Sequence, residues 1–182
     1  RQDAVVAVNN LAGLTIAEDK GMLEVLRMPE FACQLSTEQQ QFVSDYVLWT
    51  VRLDERVVDW RGQTVELLPF IRTNREQFVI KPANEGRGFG VVVGKHATPE
   101  EWAAACEIHP DLPCVVQEYA EAARLPVVRL QADENLKKID HHLTVGLAVL
   151  RGKSHGVLSR ISANPVTNVG REGIVQAVLL TK

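Results

Sequence analysis

The residues best suited to chemistry sit in one stretch, Phe78-Val-Ile-Lys-Pro-Ala-Asn-Glu-Gly-Arg-Gly-Phe-Gly-Val-Val-Val-Gly94. An apolar run ends in Lys81-Pro82, a polar loop carries Gly86, Gly88 and Gly90, and Val91 to Val93 resume the apolar character. β-Branched residues on both sides read as two strands, so the loop is the turn of a hairpin. Three glycines within five residues leave backbone N–H groups able to face an anion. Lys81, at the strand end, can add a point charge for an α- or β-phosphate, and Arg87, inside the loop beside Glu85, can reach a γ-phosphate. The same residues also describe an ordinary hairpin with an adaptable loop and a solvated lysine. Rossmann and Walker loops run from a strand into a helix, which the valines after Gly90 argue against. A kinase glycine loop has its lysine on a later strand, whereas Lys81 precedes the loop.

Two further stretches carry polar groups at strand ends. Cys114-Val-Val-Gln-Glu118 is a strand ending in Gln117-Glu118, where in a nucleotide cleft backbone groups can pair with an adenine edge and a carboxylate can accept ribose hydroxyls, with Glu121 a weaker ribose candidate. The alternative is a strand that turns polar where it reaches solvent. Leu158-Ser-Arg-Ile places Arg160 between apolar neighbours, where a guanidinium needs an anionic partner, either a ligand or a structural carboxylate. Downstream, Asn164 and Asn168 can bond phosphate oxygens or a magnesium ion, and Ser159, Ser162 and Thr167 are secondary candidates. The histidines (His96, His109, His141, His142, His155) make no metal or triad pattern and read as structural.

Composition narrows the function classes. The 182 residues are 46% hydrophobic and 24% charged, an ordinary globular balance. A formal charge of -3 argues against a general nucleic-acid or polybasic membrane binder. Cys33, Cys106 and Cys114 have no metal-ligand spacing, and their odd number reads as reduced, buried thiols of a cytoplasmic protein. No apolar run approaches the roughly 18 residues that span a membrane, and no signal peptide is visible. The chain begins at an arginine that leads straight into an apolar run, which reads as a fragment of something longer.

The elements that must position these residues follow from local pattern. Ala4 to Val8 reads as a buried strand. Capping-box patterns at Thr15-Ile-Ala-Glu18 and Ser36-Thr-Glu-Gln39 open helices running to Leu26 and Val47, and Met28-Pro29 ends the first. Trp49 to Trp60 is irregular or extended, and 65–74 is a third helix. Thr98-Pro-Glu-Glu101 opens a helix with Trp102, Ala105 and Cys106 on one face. Strands are predicted at 126–131, 143–150, 156–161 and 174–180, with a charged loop over 133–140 and a hairpin turn at Arg151-Gly152-Lys153. These elements predict an α+β fold with a soft boundary at residue 75: residues 1–75 form a mainly helical segment with a leading strand, and 76–182 a β-rich nucleotide-binding portion.

With these motifs in place, nearly the whole chain resembles the C-terminal portion of the circularly permuted ATP-grasp family. Lys81-Pro82 and its glycine loop look like the family's first phosphate-binding hairpin, and Val116 to Tyr119 like the linker that holds adenine. Gly156 to Ser162, followed by Asn168-Val-Gly-Arg-Glu-Gly173, is similar to the arginine strand and the Asn-x-x-x-Gly-Gly turn, with Glu172 in place of a glycine. Val6-Ala-Val-Asn9-Asn10 looks like the family's Glu-x-Asn strand moved to the front, with Ala7 where the glutamate would be. The fold this implies is ATP-grasp-like: antiparallel sheets with flanking helices in permuted strand order. The function it implies is ATP-dependent ligation of a small-molecule or peptide carboxylate to an amine, or less often a thiol, through an acylphosphate. Lys81, Gly86, Arg87, Gly88, Gly90, Gln117, Glu118, Tyr119 and Asn168 would hold ATP, and Asn9 and Asn168 would hold Mg2+. Arg160 would serve the reaction, and the other metal carboxylate would come from sequence before Arg1. Such chemistry rests on positioning and charge neutralisation, with no protein nucleophile. Two other functions stay open: a non-catalytic ATP-grasp-like module that binds nucleotide or a partner domain, which Ala7 favours, and a phosphotransferase on the same nucleotide fold.

Overall fold

The computed structural model describes residues 16–130 and 135–178. They divide into two compact units. One holds the described residues up to Glu85 together with Gly90–Tyr119, and the other holds Gly86–Phe89 and the described residues from Ala120 on. Residue 75 therefore lies inside the first unit.

The first unit opens with short helices, α1 (Met22–Val25), α2 (Pro29–Ala32) and α3 (Thr37–Tyr46). The helix expected up to Leu26 is interrupted: Ile16 and Ala17 are helical, but the Asp19 carboxylate accepts from the Gly21 amide at 2.7 Å and diverts the backbone into a turn before α1. Thr15 lies outside the described residues. Pro29 does not merely stop a helix; it sits at the first turn of α2, after an extended Met28. The capping box of α3 is complete: the Ser36 hydroxyl accepts from the Gln39 amide at 3.2 Å, and the Gln39 side chain accepts from the Ser36 amide at 2.9 Å.

Strands β1 (Thr50–Arg52), β2 (Val57–Trp60) and β3 (Gln63–Glu66) follow, then helix α4 (Leu67–Thr73). The predicted 65–74 helix thus starts two residues late. Val65 is paired with Val58 in a hairpin whose two-residue turn, Arg61-Gly62, has φ of 53° and 82°. Strands β4 (Phe78–Pro82), β5 (Val92–Val93) and β6 (Cys114–Glu118) complete an antiparallel sheet of order β1-β6-β4-β5. Helix α5 (Pro99–Ala105) begins with the expected Thr98–Glu101 capping box. The core lies on one face of this sheet, where Val51, Phe78, Ile80 and Val116 meet Leu67 and Ile71 of α4 and Trp102 of α5. The buried Trp102 indole donates to the Ile71 carbonyl at 3.0 Å, so its polar atom is satisfied within the core.

The second unit is a four-stranded antiparallel sheet of β7 (Arg124–Leu130), β8 (Leu136–Leu150), β9 (Lys153–Ser162) and β10 (Ile174–Gln176), in the order β10-β9-β8-β7. The β8–β9 turn falls at Arg151-Gly152, as expected, with φ of 50° and 74°. The charged loop expected over 133–140 is a strand from Leu136 onward. Its backbone is paired with β7 in a register running from Arg124 opposite His142 to Leu130 opposite Leu136. The lysines there are exposed, so their charge is no obstacle to strand pairing. The fold is therefore α+β with antiparallel sheets. Among the described residues no helix is long and apolar enough to cross a membrane.

Candidate functional site

Strand register decides which polar side chains share a face. Val79 lies opposite Gln117, and Thr50 opposite Gln117 on the other side of β6. Lys81, two residues beyond Val79, therefore projects on the same face as Thr50 and Gln117, away from the Phe78–Ile80 core. The Lys81 ammonium donates to Gln117 Oε1 at 2.5 Å, Gln117 Nε2 donates to Thr50 Oγ1 at 2.9 Å, and Thr50 Oγ1 donates to the Leu48 carbonyl at 3.0 Å. Thr50 is 1% exposed, so this chain of bonds fixes the Gln117 rotamer and with it the lysine.

A second lysine, with no local signal in the sequence, reaches the same place. Lys20 precedes α1, and its ammonium donates to the carbonyls of Pro82, Ala83 and Glu85 at 3.0, 3.2 and 2.7 Å. Burial, and after it the Lys20 charge, hold the Lys81 ammonium below the ordinary lysine range. Among the described residues no carboxylate forms an ion pair with either lysine.

The loop after Pro82 is a tight turn, with the Phe89 amide donating to the Gly86 carbonyl at 3.2 Å. Arg87, Gly88 and Gly90 have φ of 58°, 75° and 66°. A Cβ at Gly90 would lie 2.6 Å from Pro82 Cγ, so this glycine is needed for the loop to close on the strand end. At Gly86 a Cβ would meet nothing within 4 Å. Arg87 is exposed.

Glu118 falls on the other side of β6. It lies opposite Phe78, and its carboxylate is bound by the Arg61 guanidinium from the β2–β3 turn. Gln117 and Glu118, paired by sequence, are thus divided by the pleat: the glutamine joins Lys81 and the glutamate closes a surface hairpin. The Tyr119 amide donates to the Gln77 carbonyl at 2.7 Å, and the Lys95 ammonium stands 5.7 Å from the Tyr119 ring centroid, within cation–π reach.

In the second unit, Arg160 stands on β9 between Thr144 of β8 and Val175 of β10. It is half-buried, and among the described residues it forms no ion pair, so the structural-carboxylate alternative finds no support there. On its face of the sheet, the Thr144 hydroxyl accepts from Thr167 Oγ1 at 2.7 Å, and Ser162 is buried. Ser159 is buried on the opposite face, and the Asn164 amide donates to the Ser162 hydroxyl at 3.1 Å. Asn168 caps a 3-10 turn over Val169–Arg171, its Oδ1 accepting from the Gly170 amide at 3.0 Å. The following Glu172 adopts a left-handed φ of 64°, and the Gly173 amide donates to the Asn168 carbonyl at 3.0 Å. A Cβ on Gly173 would collide with the Thr167 carbonyl oxygen, so this second turn position admits only glycine. A Cβ on Gly170 would stand 3.6 Å from the Arg87 carbonyl oxygen, which places the glycine-loop tip beside the Asn168 turn.

Lys81, Gly90, Gln117, Glu118 and Tyr119 accordingly belong to the first unit, and Gly86, Arg87, Gly88, Arg160 and Asn168 to the second. Asn9 lies outside the described residues. Those described do not by themselves fit a magnesium ion: no three His, Cys, Asp or Glu side chains are grouped, and the Asn168 amide oxygen already accepts from Gly170. Burial pushes the Cys106 and Cys114 thiols up from the ordinary cysteine range, which suits neither as a nucleophile, whereas Cys33 is exposed rather than buried. No protein-family model matches the chain, and neither a curated protein nor a solved structure matches it.

Proposed function

We propose that this chain binds ATP and is the C-terminal portion of a circularly permuted ATP-grasp ligase that joins a carboxylate to an amine or thiol. One observation carries the reading. Two ammonium groups converge where β4 enters a glycine loop, one of them desolvated, with no carboxylate paired to either among the described residues. A buried cation without a counter-charge is costly in the free protein and is relieved when an anion arrives. A polyphosphate next to a turn rich in glycine N–H groups is such an anion.

The remaining residues take roles consistent with that assignment. In the first unit Gln117 orients Lys81 and Tyr119 offers a ring at the end of β6; in the second, Arg160 carries a guanidinium that forms no ion pair among the described residues. Magnesium, when bound, would neutralise phosphate charge, but the described residues do not compose its site, and no step is assigned to it here. Phosphorylation of a substrate carboxylate needs no protein nucleophile, which agrees with the thiols of Cys106 and Cys114 being pushed up by burial. The engaged amide oxygen of Asn168 favours a second reading, a module that binds nucleotide without turnover.

Calorimetric titration with a non-hydrolysable ATP analogue, with and without magnesium, tests the proposal. The wild type is expected to bind, and Lys81→Met to bind about 10- to 100-fold more weakly, the loss of one charge-assisted contact. Equal affinity in the two proteins would move the nucleotide site elsewhere. ADP release by the whole protein would separate ligase from non-catalytic binder.

A further inference from the structure

We propose that Lys20 is the positioning residue of this site: by gathering the carbonyls of Pro82, Ala83 and Glu85 it fixes where β4 hands over to the glycine loop. Four bonds converge on one short segment. The Lys20 ammonium donates to all three carbonyls, and the Lys20 amide donates separately to the Ala83 carbonyl at 3.0 Å. Ala83 is fully buried, and its own amide donates to the Pro113 carbonyl at 2.8 Å, so the segment is held from both sides. Lys20 is held at its backbone in turn, because the Asp19 carboxylate caps the Gly21 amide and begins α1.

An ammonium has three donors, and here all three are directed at backbone oxygens. These carbonyls belong to the end of a strand and the start of a loop, and a charged donor bonds them more strongly than a neutral one. Gln117 fixes Lys81 through its side chain, while Lys20 fixes the backbone that follows it. Lys20 also acts on Lys81 through space. Around Lys81, β6 presents Val115 and Gln117, β5 presents Val93, and the segment before α1 presents Lys20. Glu118 is on the other face with Arg61, and the Asp19 carboxylate is turned onto Gly21. Lys20 is therefore the charge that bears on Lys81, and it opposes protonation there.

The anchoring stands on these bonds alone, while its consequence for ligand affinity rests on the nucleotide reading. Lys20→Met and Lys20→Arg, made in the full chain, test both. In Lys20→Met, amide exchange at Ala83 is expected to quicken about tenfold or more, while the core amide of Val116 is unchanged. The Lys81 ammonium, followed by NMR, is expected to titrate at higher pH than in the wild type, because one opposing charge is gone. Lys20→Arg is expected to restore both values to near those of the wild type. Unchanged exchange at Ala83, an equal rise at Ala83 and Val116, or an unmoved Lys81 titration would each overturn the proposal. Titration of the wild type and Lys20→Met with the ATP analogue separates the two readings. Failure of the wild type to bind would refute the nucleotide reading and leave the exchange and NMR results to judge Lys20.

Discussion

Replacing Lys81 by methionine is expected to make the ligand-free protein more stable while weakening its affinity for ATP. Two effects act on the ammonium. It is largely withdrawn from water and is repelled by Lys20, and both disfavour its charge. Against them stands one bond to the neutral Gln117. Methionine keeps the length of the stem and its packing beside Val79 and Val115, which are 6% and 0% exposed. Removing a buried charge in favour of an apolar side chain of similar volume is neutral or stabilising by about 1–4 kcal/mol. The Gln117 oxygen that loses its donor is only half-buried and recovers part of that loss from water, so the net gain is about 1 kcal/mol. For a chain of this size that is a rise in Tm of about 2–4 °C.

The pH dependence carries the sign of the same effect. The folded pKa lies below the unfolded value, so between the two the unfolded chain binds more protons than the native one. Wild-type stability therefore rises with pH through that alkaline window, and the advantage of Lys81→Met shrinks towards zero as pH approaches the unfolded lysine value. Urea unfolding of both proteins at neutral pH and at several alkaline values would measure it. A variant destabilised by more than about 1 kcal/mol at neutral pH, with a difference that grows with pH, would refute the reasoning. The ammonium would then have a favourable counter-charge, and the case for an anionic ligand would go with it.

Three further outcomes are expected. Gly94→Ala should destabilise the first unit by about 3 kcal/mol or more, since its Cβ would overlap the Arg75 carbonyl whose residue also donates to the Gly94 carbonyl at 2.9 Å; a urea midpoint within error of wild type would contradict this. Glu172→Gly should stabilise by about 1 kcal/mol, because a non-glycine residue is held at a left-handed φ of 64°, and a thermal melt would show Tm rising by about 2–4 °C. In the whole protein Arg160→Ala should abolish ADP release more than it weakens binding of the ATP analogue; normal turnover would return Arg160 to a packing role.

Much of the local structure was legible in the residues. The capping boxes at Ser36 and Thr98, the strands at 78–82 and 114–118, and the Arg151-Gly152 turn are each decided within a few residues. A side-chain oxygen meets an amide three positions on, or a glycine takes a positive φ, and no distant partner is needed. The glycine loop and Lys81 were visible for the same reason. The unexpected glutamate at position 172 occupies a backbone state suited to the glycine that the resemblance called for.

What the residues left undecided depended on partners far along the chain. The strand at Leu136–Asp140 exists because β7 offers it backbone bonds, which a lysine-rich run does not announce. Sequence order alone made Gln117 and Glu118 look like a pair. The register of β6 against β4 sends one to Lys81 and the other to Arg61, more than fifty positions earlier by the 57-residue separation. Lys20 reaches the end of β4 across 62 positions, and nothing near it in the chain distinguishes it from a solvated lysine. Residue types and short spacings decided which groups could bind an anion. Strand register and the return of the chain decided which of them stand together with no ion-paired carboxylate among the described residues, because the cost of a buried ammonium exists only once folding has removed the water around it.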